Sequence, residues 1–141
     1  MPSPYRSGAT NPPTKDQVHS DLDLAFFPHP VTGRPGVRTN NEALIQAVRL
    51  TVLTNKYEVP YRPLLNDVVR ERLFSNFSEA DVDDLRRIVR TALTNHEPRV
   101  TLLGVEVLER RADQTLNIRI IVRPVGATNP LNVDVFLDRV R

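Results

Sequence analysis

The sequence predicts an α+β domain in which two or three helices pack on a small, mostly antiparallel sheet behind a flexible N-terminal arm. Three observations carry that expectation. Apolar residues recur at helical intervals as far as Asn95, they alternate strictly after Pro98, and the first 20 residues hold almost nothing to bury. The switch falls within Asn95-His96-Glu97-Pro98-Arg99. Pro98 disfavours helical geometry at Glu97, so the chain leaves the helix there, and Arg99 places a rigid five-donor fork at the start of the first long strand.

Residues 1–20 carry Pro2, Pro4, Pro12 and Pro13 among small and polar residues and read as a flexible or extended arm; residues 21–141 read as one domain. Asp21 to Phe26 alternates, placing Leu22, Leu24 and Phe26 on one face of a short strand that Pro28 and Pro30 end. Thr39 and Glu42 have capping-box spacing, and Leu44, Ile45, Ala47, Val48 and Val52 follow at helical spacing, giving a helix over about 40–53. Pro60 and Pro63 mark an irregular stretch with Tyr57 and Tyr61. A short helix is then expected over about 64–74, with Leu65, Val68, Val69 and Leu73 inward. Ser78, with Asp81 three residues on, starts the clearest helix. Its stripe of Ala80, Val82, Leu85, Ile88, Val89, Ala92 and Leu93 lies opposite Asp83, Asp84, Arg86, Arg87 and Arg90.

The strand half follows the same logic. Over 99–109 the apolar face shifts near Gly104, from Val100 and Leu102 to Val105 and Val107, the pattern of a β-bulge. A turn at 112–114 leads to Leu116, Ile118, Ile120 and Val122, alternating with Asn117, Arg119, Ile121 and Arg123, so the two strands form an antiparallel hairpin. Leu131, Val133, Val135 and Leu137 alternate with Asn132, Asp134, Phe136 and Asp138 in the last strand. That strand either pairs within a mixed sheet or offers an edge to another chain.

Composition removes several function classes. With no cysteine there is neither a disulfide framework nor thiolate chemistry. No apolar run fits a signal peptide or a membrane span, so an unexported, soluble protein is expected. The three histidines His19, His29 and His96 lack metal-ligand spacing, and no cofactor motif, nucleophile elbow or phosphate loop occurs. Net charge is +2, and 17 of the 19 basic residues are Arg, a bias that fits charged pairs at interfaces and equally an Arg-rich genome. Nucleic-acid binding has Arg86-Arg87-Arg90 and Arg110-Arg111 in its favour. Interleaved acids and the shortage of strand aromatics count against it.

The order Asp21-Leu22-x-Leu24-x-Phe26, a Gly/Pro loop, a helix ending Val52-Leu53-Thr54, a Pro-rich turn, and a helix closing on Glu97-Pro98-Arg99 before alternating strands resembles the baseplate wedge and sheath-initiator family of contractile phage tails and related injection systems. Where that family has a Gly-Glu-Arg turn, this chain has Asn55 to Pro63, with Asn55 able to turn left-handed and Glu58 and Arg62 standing in for the charges. The resemblance implies a structural protein of the virion's tail baseplate, assembled in the host cytoplasm, with six copies around the tail axis. Its implied partners are tail sheath protein and baseplate wedge proteins, with tube or hub proteins as further candidates, and no membrane. It implies that Glu97, Pro98 and Arg99 bind baseplate partners, while the last two strands template the first sheath ring by strand addition through Arg119, Ile121, Arg123, Val133, Val135 and Leu137. Proline at Val135 would then remove a ladder donor. The plainer reading of Glu97 and Arg99 is that they pair with each other.

The family has also carried the label tail lysozyme, so a peptidoglycan-degrading enzyme is the alternative. Glu58 and Asp67 have the nine-residue offset of phage-type lysozymes. Leu73 occupies the position where those enzymes have Thr, and no surrounding pattern supports the pair. The expectation is a non-enzyme.

Overall fold

The computed structural model describes residues 18–28, 30–55, 57–61, 79–110 and 115–138. The helix expected over 64–74, the Ser78 cap, the turn at 112–114 and the arm up to residue 17 lie outside those residues. Two units divide the chain, residues 1–44 and 45–141. Among the described residues the class is α+β, with two helices, one two-stranded and one three-stranded antiparallel sheet.

The first unit contains a β-ribbon. β1 (Ser20–Leu22) pairs antiparallel with β2 (Val37–Thr39), and a bridge between Pro28 and Pro35 carries the ribbon outward. β1 is shorter than the alternation predicts. Asp23 ends it by accepting the Ala25 N–H on Oδ1 at 3.0 Å, and Phe26 turns left-handed at φ 52°. The Ala25 N–H, then the Arg38 guanidinium at 3.0 Å, hold the Asp23 carboxyl below the usual carboxylate range against partial desolvation. Leu22, Leu24 and Phe26 are consequently exposed.

β2 runs without a linker into α1 (Asn40–Leu53), whose bounds match the sequence reading. Thr39 is the last strand residue, and Asn40 makes the corner at φ 50°, a conformation Asn tolerates. Its N–H donates to the His19 carbonyl at 2.8 Å, and its Oδ1 accepts from the Val18 N–H at 3.0 Å.

The second unit holds the core. Val48 and Val52 of α1 and Leu85, Val89 and Leu93 of α2 (Glu79–His96) cluster with the inward residues of the sheet. Ala80, at the head of the predicted stripe, is exposed in the first turn. The sheet order is β3 (Val100–Arg110), β4 (Thr115–Pro124), β5 (Leu131–Asp138), each pair antiparallel. Leu116, Ile118 and Ile120 stand opposite Leu137, Val135 and Val133, so one continuous apolar face lies under the helices. Burying a side chain of this kind contributes roughly 1.5–3 kcal/mol, which makes this face the main source of stability.

The expected bulge is present. Leu102 opposes Val122 and Gly104 opposes Ile121, so Leu103 is the extra residue, and Val105 and Val107 return to the core face opposite Ile120 and Ile118. A glycine is not required for it: Gly104 has no left-handed φ, and a Cβ there would meet only Ile121 Cδ1 at 3.7 Å. Gly104→Ala is expected to change stability by less than about 1 kcal/mol. Deleting Leu103 turns Val105 and Val107 to solvent and is expected to cost on the order of 3 kcal/mol or more. Urea unfolding of the two variants measures both, and equal stabilities would refute the parity argument.

Candidate functional site

β4 is paired on both sides, so its main chain is already used, and strand addition on it is excluded within this sheet. Arg119, Ile121 and Arg123 therefore cannot be ladder positions for an incoming strand. They point to the sheet face away from the helices, where Arg119 Nε binds Asp134 Oδ1 at 3.0 Å and its Nη1 lies 3.9 Å from Glu106 Oε2. One arginine thus bridges all three strands. Among the described residues β3 and β5 are the sheet edges.

The direction of each main-chain group on β5 follows from one hydrogen bond. The Val125 N–H donates to the Arg99 carbonyl at 2.9 Å, so odd residues of β4 turn their main chain toward β3 and even ones toward β5. Ile118 and Val135 therefore exchange both of their bonds, whereas Asp134, opposite Arg119, turns its N–H and C=O outward. An independent contact agrees with that assignment: Arg49 Nη2 of α1 donates to the Asp134 carbonyl at 3.4 Å from outside the ladder. The available edge is thus the main chain of Asn132, Asp134 and Phe136. Val133, Val135 and Leu137, the ladder positions expected from the sequence, are buried in the core and bonded to β4. Proline at Val135 would break the internal sheet, and Phe136 is the position that tests the edge.

The predicted corner is assembled locally. Glu97 is only 6% exposed, and Arg99 grips it with both arms of its fork, Nε to Oε1 at 2.7 Å and Nη2 to Oε2 at 3.0 Å. The Glu97 N–H closes the last turn of α2 on the Leu93 carbonyl. Beside the corner lies a cleft of about 370 Å³, lined by Arg90, Leu93, Thr94, Pro98, Val100, Thr101 and Leu102. Sequence reasoning missed this cleft because Arg90 and Thr101 become neighbours only once α2 lies beside β3.

Of the two residues weighed for catalysis, Glu58 lies among the described residues. Asn55 holds both Glu58 oxygens, its N–H reaching Oε2 at 2.7 Å and its Nδ2 reaching Oε1 at 2.9 Å, and Asp67 lies outside the described residues. Among the described residues of this loop, those that turn left-handed are Tyr57 and Tyr61, at φ 68° and 67°, rather than Asn55. Among the described residues no group of acids and histidines has the arrangement of a metal site, and no helix is long and apolar enough to cross a membrane.

No family model matches the chain. Baseplate wedge protein gp25 of Enterobacteria phage T4 is 26% identical over 108 residues, which span 74% of this chain and 79% of that protein. Two solved structures share the fold. One, from Geobacter sulfurreducens and described as a tail lysozyme, has a TM-score of 0.60 at 24% identity, over 70% of this chain and 89% of that one. The other, from the six-fold symmetrised baseplate of the anti-feeding prophage, has a TM-score of 0.66 at 20% identity, over 74% of this chain and 83% of that one. A small sheet roofed by helices and closed by a Glu-Pro-Arg corner, together with these matches, makes the chain similar to baseplate proteins of contractile tails. Within that class, the likeness is to gp25-like proteins.

The corner makes its own prediction. Arg99→Ala strands a buried carboxylate and is expected to lower unfolding stability by about 2–4 kcal/mol, whereas the apolar double variant Glu97→Leu/Arg99→Met recovers most of that loss. Chemical denaturation reads both. A double variant no more stable than Arg99→Ala would show that the pair is not a closed local unit.

Proposed function

We propose that this chain is a structural component of the virion's tail baseplate that templates the first ring of tail sheath by accepting a sheath strand on the open edge of β5. The observation that carries the reading is the outward main chain of Asn132, Asp134 and Phe136 on a strand whose other side is fully paired. Placement in the tail baseplate rests on the likeness to the phage T4 wedge protein. In this reading six copies surround the tail axis. The Glu97-Pro98-Arg99 corner and its neighbouring cleft face wedge partners, and tube or hub proteins are the remaining candidates for contact.

The mechanism is geometric. Docking through the corner fixes a rigid sheet, main-chain bonds along β5 supply affinity, and the alternation of β5 side chains fixes the register that the first sheath ring inherits. Nothing in this mechanism requires chemistry. Both Glu58 oxygens are occupied by Asn55, a structural use of that carboxylate.

Phe136→Pro removes one outward donor while leaving the β4–β5 ladder and the core intact, since proline is tolerated at an edge whose N–H faces solvent. The expected result is a folded protein that no longer supports sheath assembly in reconstituted tails, scored by electron microscopy. Full-length sheaths on baseplates carrying this variant would sink the edge mechanism. The non-enzymatic reading is checked separately: purified protein is expected to release no muropeptides from peptidoglycan above the Glu58→Gln background, and turnover lost in Glu58→Gln would reverse it.

A further inference from the structure

The sheet face turned away from the helices carries a polar defect on its central strand. Asn117 Oδ1 is buried and has no hydrogen-bond partner among the described residues. Its cross-strand neighbours are Leu108 on β3, 49% exposed, and Phe136 on β5, 69% exposed. The adjoining row is Glu106, Arg119 and Asp134, two carboxylates around one guanidinium. A buried acceptor without a donor is a standing cost to the free protein, and large apolar side chains left open beside it mark a surface awaiting a cover.

We infer that the strand accepted by β5 carries a lysine or arginine opposite Phe136, and that this side chain crosses the Phe136 ring to donate to Asn117 Oδ1. The inference rests on the strand-addition reading above and names the specificity that reading lacks. Three features converge on a long cation. An added strand lies about 4.8 Å beyond β5, hence about 9–10 Å from β4, and only a side chain with an extended stem, Lys or Arg, spans that gap to Asn117. Its path lies over the face of an exposed aromatic ring, which attracts cations. The excess negative charge of the neighbouring row favours the same sign. Phe136 turns its main chain outward, so the residue opposite it in the added strand projects to this same face.

The test uses the full chain and the sheath protein of the same tail, with affinity measured by titration calorimetry against a peptide of the sheath's strand-forming arm. Asn117→Leu is expected to raise the melting temperature of the free protein by about 2–5 °C and to weaken peptide binding about tenfold. Changing the peptide's lysines and arginines to methionine one at a time should identify a single position of comparable effect, and that effect should vanish in the Asn117→Leu background. Phe136→Leu, which keeps apolar area but loses the ring face, should weaken binding by a smaller factor and serves if Asn117→Leu does not fold. Unchanged affinity in Asn117→Leu, or additive effects of the two partners' changes, overturns the inference. Binding that is lost with Phe136→Pro yet indifferent to Asn117 leaves strand addition standing and removes this specificity alone. A wild-type protein that does not bind the sheath arm removes both.

Discussion

A β-strand has only two sides of main chain and two faces of side chain, and burying one face commits all four. In this protein Leu116, Ile118, Ile120 and Val122 of β4 are buried with the helices above them, which fixes the parity of the central strand. Parity of β4 then dictates that Val133, Val135 and Leu137 point inward and bond inward, while Asn132, Asp134 and Phe136 turn their amides to the sheet edge. The edge is therefore a by-product of core packing, and it cannot slip in register without exposing the core. A rigid edge of defined register is what an assembly template needs.

Much of this was readable from residues alone. Helix α1 has the bounds its periodicity implies, α2 ends where Pro98 demands, and the parity switch from Leu102 to Val105 announces the bulge. These features are local, set by spacing and by proline's missing N–H. What sequence could not show is which strand is central. Both 116–123 and 131–138 alternate equally well, and only pairing, a non-local fact, places β4 between β3 and β5 and so removes Arg119, Ile121 and Arg123 as edge positions. The same gap misplaced Val135, because alternation tells which side chains are buried but not which amides face outward.

Other departures have local causes. Asp23 ends β1 early because its carboxylate finds the Ala25 amide and Arg38, an option that alternation of polar and apolar letters does not encode. Among the described residues of the 55–61 loop, left-handed geometry falls on Tyr57 and Tyr61, since Asn55 is held by Glu58. The Glu97–Arg99 pair is the plainer of the two readings realised in full, a local clamp joining helix to sheet. A clamp and a docking surface are compatible, because a corner that binds partners has first to hold its own shape.

Arg49 leaning from α1 onto the Asp134 carbonyl has a consequence for the protein before assembly. Sheet edges are adhesive, and copies synthesised together in a crowded cell would zip onto one another if nothing stood in the way. A guanidinium parked on the middle of the edge would make the proposed recruitment an exchange, in which any newcomer has to displace a charged occupant. In the proposed strand addition, casual pairing between identical chains would thereby be discouraged, and the edge would be kept for a ligand strong enough to evict the sentry.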